Sequence, residues 1–407
     1  MIKKHLPKNF WILMIVCSLW MTSCDSDDVS TPKAEPTPST LVSFEKDFER
    51  AAGDLRGFIN LSELNVDVTD MQIPVIRYDM EYKTVYKGDT IVASAVVLVP
   101  NTDKAVGTIS FQHGTIAADE EAPTNLISGN YQIIFTSALA STGFLVVLPD
   151  YIGFGASSEQ MHPYYVEEPT ATAVMNAIYA ARELSTAEGF SVSEDLYLAG
   201  YSQGGYATMA THKYYEENDI PFYDLKASFP SSGGYDIKSF QEYYFGLETY
   251  DQPFFMAYVA QAYKETYDWS ESLSLYFNEP YASAIPSLFD GNSSGGEIND
   301  QLNDTVSVFV NQNFLSNPEG SDYDHINAAF EENSLIDWTP QIRMFMYHGD
   351  ADITVPYQNS VSVYNQLIAN GASESVVTFT TLEGGTHNTG VGPYIENLAW
   401  EMAKFKD

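Results

Sequence analysis

The chain has 407 residues, 19 Lys+Arg against 55 Asp+Glu, a formal charge of −36, 44% hydrophobic residues and two cysteines. About half of it is apolar once glycine is counted, enough to bury a core in one large domain or two small ones rather than stay disordered. A field this negative repels phosphate backbones and anionic membrane surfaces, which sets nucleic acid aside as a partner.

Residues 1–23 carry Lys3, Lys4 and Lys8, then the apolar stretch Phe10 to Met21, and no acidic residue. This is the layout of a secretory signal peptide, too short to span a bilayer comfortably. Thr22-Ser23 before Cys24 resembles the lipobox of bacterial lipoproteins, which implies Cys24 as a lipidated mature N-terminus, export, and a lipid anchor in the outer membrane as the sole membrane attachment. The tract Asp25-Ser26-Asp27-Asp28 is similar to the surface-export signal of Bacteroidetes lipoproteins, an expectation of the cell surface. Cys17 leaves with the signal and Cys24 carries lipid, so the folded part holds no thiol for a disulfide, a nucleophile or a metal site. Loss of the three signal lysines takes the charge from −36 to −39. Residues 24–40 are rich in Ser, Thr, Pro and Asp and read as a tether.

The folded part spans 41–407, and its clear patterning starts near residue 75. Val75 to Tyr86 and Thr90 to Val99 alternate like an antiparallel pair, and Gly107 to Gln112 and Phe144 to Leu148 are short apolar runs suited to strands buried on both faces. Tyr131 to Ala140 and Ala171 to Leu184 have helical periodicity. Asp195 to Ala199 reads as a strand feeding a helix from about Gln203. Leu225 to Phe229, Ile342 to Tyr347 and Ser375 to Thr381 supply three later strands, and Tyr394 to Lys404 a last helix. Such alternation predicts an α/β fold with a mostly parallel central sheet flanked by helices. Residues 235–338 interrupt it with helical patterning and many aromatics, among them Tyr244, Phe245, Phe255, Tyr258, Tyr276 and Phe277, and read as an inserted helical cap. Those aromatics serve as a core for the insertion, as a substrate-binding face, or as both.

Chemistry concentrates in Gly200-Tyr201-Ser202-Gln203-Gly204-Gly205, a G-x-S-x-G pattern between an apolar strand and a helix. Small residues around the serine allow the sharp strand-to-helix turn that presents its hydroxyl at the carboxyl end of the sheet. A serine hydroxyl needs a base oriented by a carboxylate. After the strand ending at Tyr347 comes His348-Gly349-Asp350-Ala351-Asp352-Ile353-Thr354-Val355-Pro356; after the last strand comes Glu383-Gly384-Gly385-Thr386-His387. The chain order Ser202, Asp352, His387 fits a nucleophile, acid and base in loops at one end of the sheet. Asp350 competes with Asp352 for the acid, and Asp236 is a third candidate.

With FQHGT at Phe111 to Thr115, PDYIGFG at Pro149 to Gly155, HPY at His162 to Tyr164, GYSQGG, the D-x-x-V-P run and the GGTH loop, the chain resembles the α/β-hydrolases over about residues 75–405. Within them it is similar to the secretory lipase and esterase group. The resemblance implies an oxyanion hole of backbone N–H groups from Gly114 or Thr115 and from Gln203, with no metal and no cofactor. It gives His113 and His348 supporting roles, and Asp150 that of a buried anchor.

These features predict a serine hydrolase that cleaves small-molecule or polymer-borne acyl esters through an acyl-enzyme on Ser202. An esterase removing acetyl or feruloyl groups from polysaccharides, a peptidase of the same fold that clamps an amine with Glu167-Glu168, and a non-catalytic surface protein binding glycans or lipids are the competing readings. No H-E-x-x-H and no P-loop occurs in the sequence.

Overall fold

The computed structural model describes residues 39–406, so the signal peptide, Cys24 and nearly all of the tether lie outside the described residues. Nine strands form one sheet: β1 (Leu41–Arg50), β2 (Val75–Tyr86), β3 (Asp89–Pro100), β4 (Val106–Gln112), β5 (Leu145–Pro149), β6 (Val192–Tyr201), β7 (Asp224–Ser231), β8 (Met344–Gly349) and β9 (Val377–Leu382). Their order is β1-β2-β3-β5-β4-β6-β7-β8-β9. The first three strands and the β3–β5 contact are antiparallel, and every pairing from β5 through β4 to β9 is parallel. The result is the α/β-hydrolase fold.

Local chemistry explains the elements. β2 and β3 join through Lys87-Gly88, both at positive φ (51° and 83°), the backbone of a two-residue hairpin turn that matches strand twist. β5 is buried along its whole length, as a strand covered on both faces must be. Helix α1 (Ala52–Leu61) follows β1, and α2 (Tyr131–Ser141) leads into β5. Helix α3 (Glu167–Ala187) starts four residues before its apolar run, because two glutamates occupy its first turn, where the helix dipole favours them. Its buried alanines Ala171, Ala173, Ala177, Ala180 and Ala181 let it lie close to the sheet.

β1 and α1 carry no clear signal in the sequence. β1 pairs only with β2, and none of its side chains is fully buried, so its apolar pattern is weak.

Chain order and sheet order diverge at β4. The chain goes from β4 to its neighbour β5, then crosses back to place β6 on the other side of β4. Loops after β4 and β6 therefore open side by side beyond the carboxyl ends of the strands, the crevice where open α/β sheets hold ligands.

Between β7 and β8 the chain leaves the sheet for α5 (Ile237–Phe245), α6 (Pro253–Thr266), α7 (Tyr281–Leu288), α8 (Gly295–Asn299), α9 (Val306–Phe309), α10 (Gln312–Ser316) and α11 (Asp324–Glu332). This cap shares one apolar cluster with the sheet domain. Tyr258 and Tyr263 are buried against that domain and spend their hydroxyls on its backbone, at Ile116 O (3.2 Å) and Tyr165 O (2.8 Å). Helices α4 (Gln203–Glu217), α12 (Tyr357–Ala369) and α13 (Val391–Ala403) complete the flanks. Among the described residues, no helix is long and apolar enough to cross a membrane.

Candidate active site

Ser202 stands between β6 and α4 at φ 60°, ψ −125°, a conformation that costs a non-glycine residue on the order of 1–3 kcal/mol and persists only where the surroundings enforce it. Close packing of α4 enforces it. A Cβ on Gly204 would come 2.1 Å from Gln112 O, and one on Gly205 would come 2.3 Å from Ser231 O, so only glycine lets the start of α4 wedge between the ends of β4 and β7. The elbow lifts the serine side chain out of the sheet, toward the loops after β8 and β9.

There it meets His387. His387 Nε2 lies 2.9 Å from Ser202 Oγ, and His387 Nδ1 lies 2.7 Å from Asp352 Oδ2. A carboxylate beside Nδ1 keeps the proton on that nitrogen, which leaves the Nε2 lone pair facing the serine hydroxyl. Asp352 is itself held on every side: its Oδ1 accepts the N–H groups of Thr354 and Val355, both at 3.0 Å. His348 Nε2 is 3.2 Å from Asp352 Oδ2 and 2.9 Å from Val355 O, both pure acceptors, so that nitrogen carries hydrogen and Nδ1 accepts from Ser360 Oγ at 2.6 Å. Burial pushes the Asp352 carboxyl up, but hydrogen bonds from His348 and His387 outweigh it and leave the group below its ordinary value. Asp352 is therefore a carboxylate throughout the neutral range.

The other two acids go elsewhere. Asp350 is exposed and accepts Gly384 N–H at 2.6 Å, while Asp236 caps α5 by accepting Ser239 N–H at 3.1 Å. The base loop is fixed from behind, where the Tyr201 hydroxyl donates to His387 O at 2.8 Å.

Across the cleft, Gly114 lies beside the serine: a Cβ there would be 3.6 Å from Ser202 Cβ. The backbone N–H groups of Gly114, Thr115 and Gln203 donate to no protein acceptor among the described residues. His113 is buried, which holds its imidazole neutral, and Nδ1 lies 2.7 Å from Gly114 O. In a trans peptide the C=O and N–H point oppositely, so gripping Gly114 O aims the Thr115 N–H away from the imidazole. Thr115 Oγ1 is tied to the Tyr164 hydroxyl at 2.8 Å. Asp150 anchors the adjoining turn by accepting from Ser94 Oγ (2.6 Å) and from Thr124 N and Oγ1; burial lifts its carboxyl to about 6.

His162, part of the HPY motif but without a role in the sequence reading, touches this machinery directly. Its Nδ1 donates to Ile152 O (2.6 Å), which makes Nε2 an acceptor for the Gln203 side-chain amide, also at 2.6 Å. Burial drives its pKa down to about 3. Tyr201 and Tyr164 were equally unassigned. All three sit inside recognisable motifs, but a contact that closes only between loops distant in sequence leaves no spacing to read.

Ser202 opens into a cavity beneath the cap, walled by side chains of α5, α6 and α11 with Tyr164, Tyr165 and Val355. It is narrow: about 90 Å³ admits the centre of a water-sized sphere, well above the space one water needs. Of the cap aromatics, Tyr244, Phe245, Phe255, Tyr276 and Phe277 face it, while Tyr258 and Tyr263 pack elsewhere, so the cap's aromatics serve both as core and as cavity wall. A serine with a ready base, unpaired N–H donors beside it and an apolar slot can support acyl transfer from a substrate with an apolar part.

Known proteins resemble the chain in sequence over one segment and in fold over most of its length. The secretory lipase family model matches residues 119–217. No curated protein matches the chain in sequence. Among solved structures, the rice cell wall degrading esterase LipA from Xanthomonas oryzae is similar at a TM-score of 0.79 and 22% identity, over 91% of this chain and 100% of that one. A Legionella pneumophila protein gives 0.80 and 22%, over 90% and 98%, and Candida antarctica lipase A gives 0.62 and 15%, over 86% and 78%. At such identities the structures establish the shared architecture. By fold the chain is an α/β-hydrolase, similar over residues 119–217 to the secretory lipase family.

Proposed function

We propose that the protein is a serine ester hydrolase of the lipase and carboxylesterase type. The observation that carries this is the hydrogen-bonded chain Ser202–His387–Asp352, 2.9 and 2.7 Å long in its two links, at the mouth of an apolar cavity. Ser202 Oγ attacks the acyl carbonyl as His387 Nε2 takes its proton, and Asp352 holds the imidazole and stabilises the imidazolium. The tetrahedral oxyanion sits among the N–H groups of Gln203 and of Thr115 or Gly114; one such donor is typically worth about 10²–10³ in rate. His387 returns the proton to the departing alkoxide, leaving the acyl group on Ser202. Water then attacks that ester with the same base, and Ser202 regains its proton.

An ester substrate fits better than a peptide amine. Glu167 is half of an ion pair with Lys213 at 2.9 Å, and neither Glu167 nor Glu168 lines the cavity, so no free carboxylate waits there for an ammonium group. The Xanthomonas neighbour is a cell-wall-degrading esterase. For this chain the alcohol part, small or borne on a polymer, stays on the open side while the acyl part enters the cavity. Export with a lipid on Cys24 completes the proposal, and metabolic fatty-acid labelling that is lost in Cys24→Ser tests it.

The activity is tested by a fluorophosphonate probe and a 4-nitrophenyl ester series on the folded protein. Stoichiometric labelling of Ser202 and hydrolysis abolished in Ser202→Ala are expected. Unlabelled folded protein overturns it and favours a binding protein, while full turnover in Ser202→Ala overturns the acyl-enzyme on Ser202.

A further inference from the structure

The turn that presents Asp352 is gripped from its outer side by the cap. Asp352 Oδ1 accepts the N–H groups of Thr354 and Val355, both at 3.0 Å. In a trans peptide the C=O and N–H point oppositely, so the Val355 N–H that meets the carboxylate has the Thr354 carbonyl at its back. Two cap tyrosines reach that oxygen. The Tyr244 hydroxyl donates to Thr354 O at 3.0 Å, and the Tyr250 hydroxyl lies 3.1 Å from Thr354 O and 3.2 Å from the Tyr244 oxygen. Among the described residues, no backbone N–H donates to Thr354 O.

Both tyrosines are themselves fixed. Each is buried, their ring centroids are 4.3 Å apart, and Tyr244 belongs to α5. The Tyr250 N–H donates to Asp304 O at 2.8 Å, and its neighbour Thr249 bridges to Thr305. Their hydroxyls are spent on the acid turn rather than on the cavity. A peptide plane held at its carbonyl and at its N–H resists tilting. Released at the carbonyl, the plane loosens its N–H bond to Oδ1, and the carboxylate gains freedom to swing away from His387 Nδ1. Small displacements of a group that orients the base are expensive in rate.

Within the serine-hydrolase reading, on which this step rests, we propose that Tyr244 and Tyr250 are positioning residues for the triad acid. The docked cap, through these two hydroxyls, keeps the 354–355 peptide in the orientation in which it holds Asp352 against His387. Catalytic competence then depends on a contact made by the insertion, not on the sheet's loops alone.

The test assays Tyr250→Phe, Tyr244→Phe and the double variant on 4-nitrophenyl acetate and octanoate, with fluorophosphonate labelling and thermal melting as checks on folding. Phenylalanine keeps the rings and removes only the oxygens. Tyr250→Phe is expected to lower kcat about threefold and the double variant about tenfold or more, equally for both esters. KM should stay unchanged, because acylation and deacylation use the same base and slow together. Tyr263→Phe, which frees Tyr165 O and touches no triad group, is the control and should lower the melting temperature while keeping kcat. In an Asp352→Asn background, the Tyr→Phe changes should cost nothing further, since the group they position no longer works. If Tyr244→Phe and Tyr250→Phe behave like Tyr263→Phe, their role is structural and the proposal is overturned. A loss that appears in KM, varies with acyl length, or persists in the Asp352→Asn background also overturns it, while the hydrolase reading stands. If folded wild type hydrolyses neither ester and takes no label, the hydrolase reading falls and this proposal with it.

Discussion

Around Ser202 the wall made by the sheet's loops is built on a polar network and the wall made by the cap on apolar side chains. On the loop side the catalytic groups are matched: Asp352 takes hydrogen bonds from two backbone amides and two imidazoles, His348 is held at both nitrogens, and Tyr201 pins the backbone of His387, while Gln203 Oε1 and Ser231 Oγ close by have no partner among the described residues. On the cap side polar atoms are few and their bonds mostly turn away from the cavity. Fully satisfied networks fix atoms to a fraction of an ångström, which is what proton transfer needs. An apolar wall fixes little by itself but selects what enters. Rate and selectivity should therefore separate by wall.

The largest expected effect breaks the loop side. Ser202→Ala should lower kcat on short acyl esters by on the order of 10⁶-fold, with the melting temperature kept. Asp352→Asn should cost about 10⁴-fold, since an amide in place of the carboxylate favours the wrong imidazole tautomer and cannot stabilise the imidazolium. Asp350→Asn, whose carboxylate reaches Gly384 rather than His387, should stay within about threefold of wild type by the same assay. A large loss in Asp350→Asn with a small one in Asp352→Asn would reverse the roles argued from the geometry.

On the cap side the expected effects are smaller and depend on substrate. Val259 lines the cavity from α6. Val259→Phe should fill part of the slot and lower kcat/KM for octanoyl esters about tenfold more than for acetyl esters, in the range that a few methylenes are worth in an apolar pocket. Uniform loss across chain lengths would mean that the acyl group lies elsewhere, and the contrast between the two walls would not hold.

The two walls also differ in how legible they were in the sequence. The strands leading to Ser202, Asp352 and His387 are short runs with glycine at or just beyond their ends, and the three side chains that follow them are linked by hydrogen bonds in the structure. Period and spacing report such features because they are local. The spacing to Val355-Pro356 already favours Asp352 over Asp350, and the turn at Thr354 and Val355 is its physical content: one carboxylate points inward and the other to solvent. Strand β1 was silent because an edge strand half-exposed to water needs no apolar alternation. His162 was silent for another reason: its meaning depends on what distant segments place beside it.

His162 gives the smallest and most specific prediction. Its Nε2 accepts from the Gln203 amide, so protonation would replace an acceptor with a second donor and break the contact behind the Gln203 backbone N–H. Burial lowers its folded pKa from 6.5 to about 3, so above pH 6.5 neither state binds the proton, and between 6.5 and 3 only the unfolded chain does. Stability should then fall as the pH drops through that window, by about 2 kcal/mol between pH 7 and pH 5 from this group. Asp150 works the other way: with its folded pKa raised from 3.8 to about 6, the folded state binds the extra proton and gains stability as the pH falls through that range. The two slopes partly offset in wild type, so the informative quantity is the difference from His162→Gln, which keeps an acceptor for Gln203 and removes the titration. Urea unfolding at pH 7 and pH 5 should show that the variant loses less stability on acidification than wild type. Equal losses in both proteins would mean that His162 takes up its proton as readily in the fold as in the unfolded chain, and that the loop wall does not depend on the neutral acceptor inferred from the Ile152 hydrogen bond.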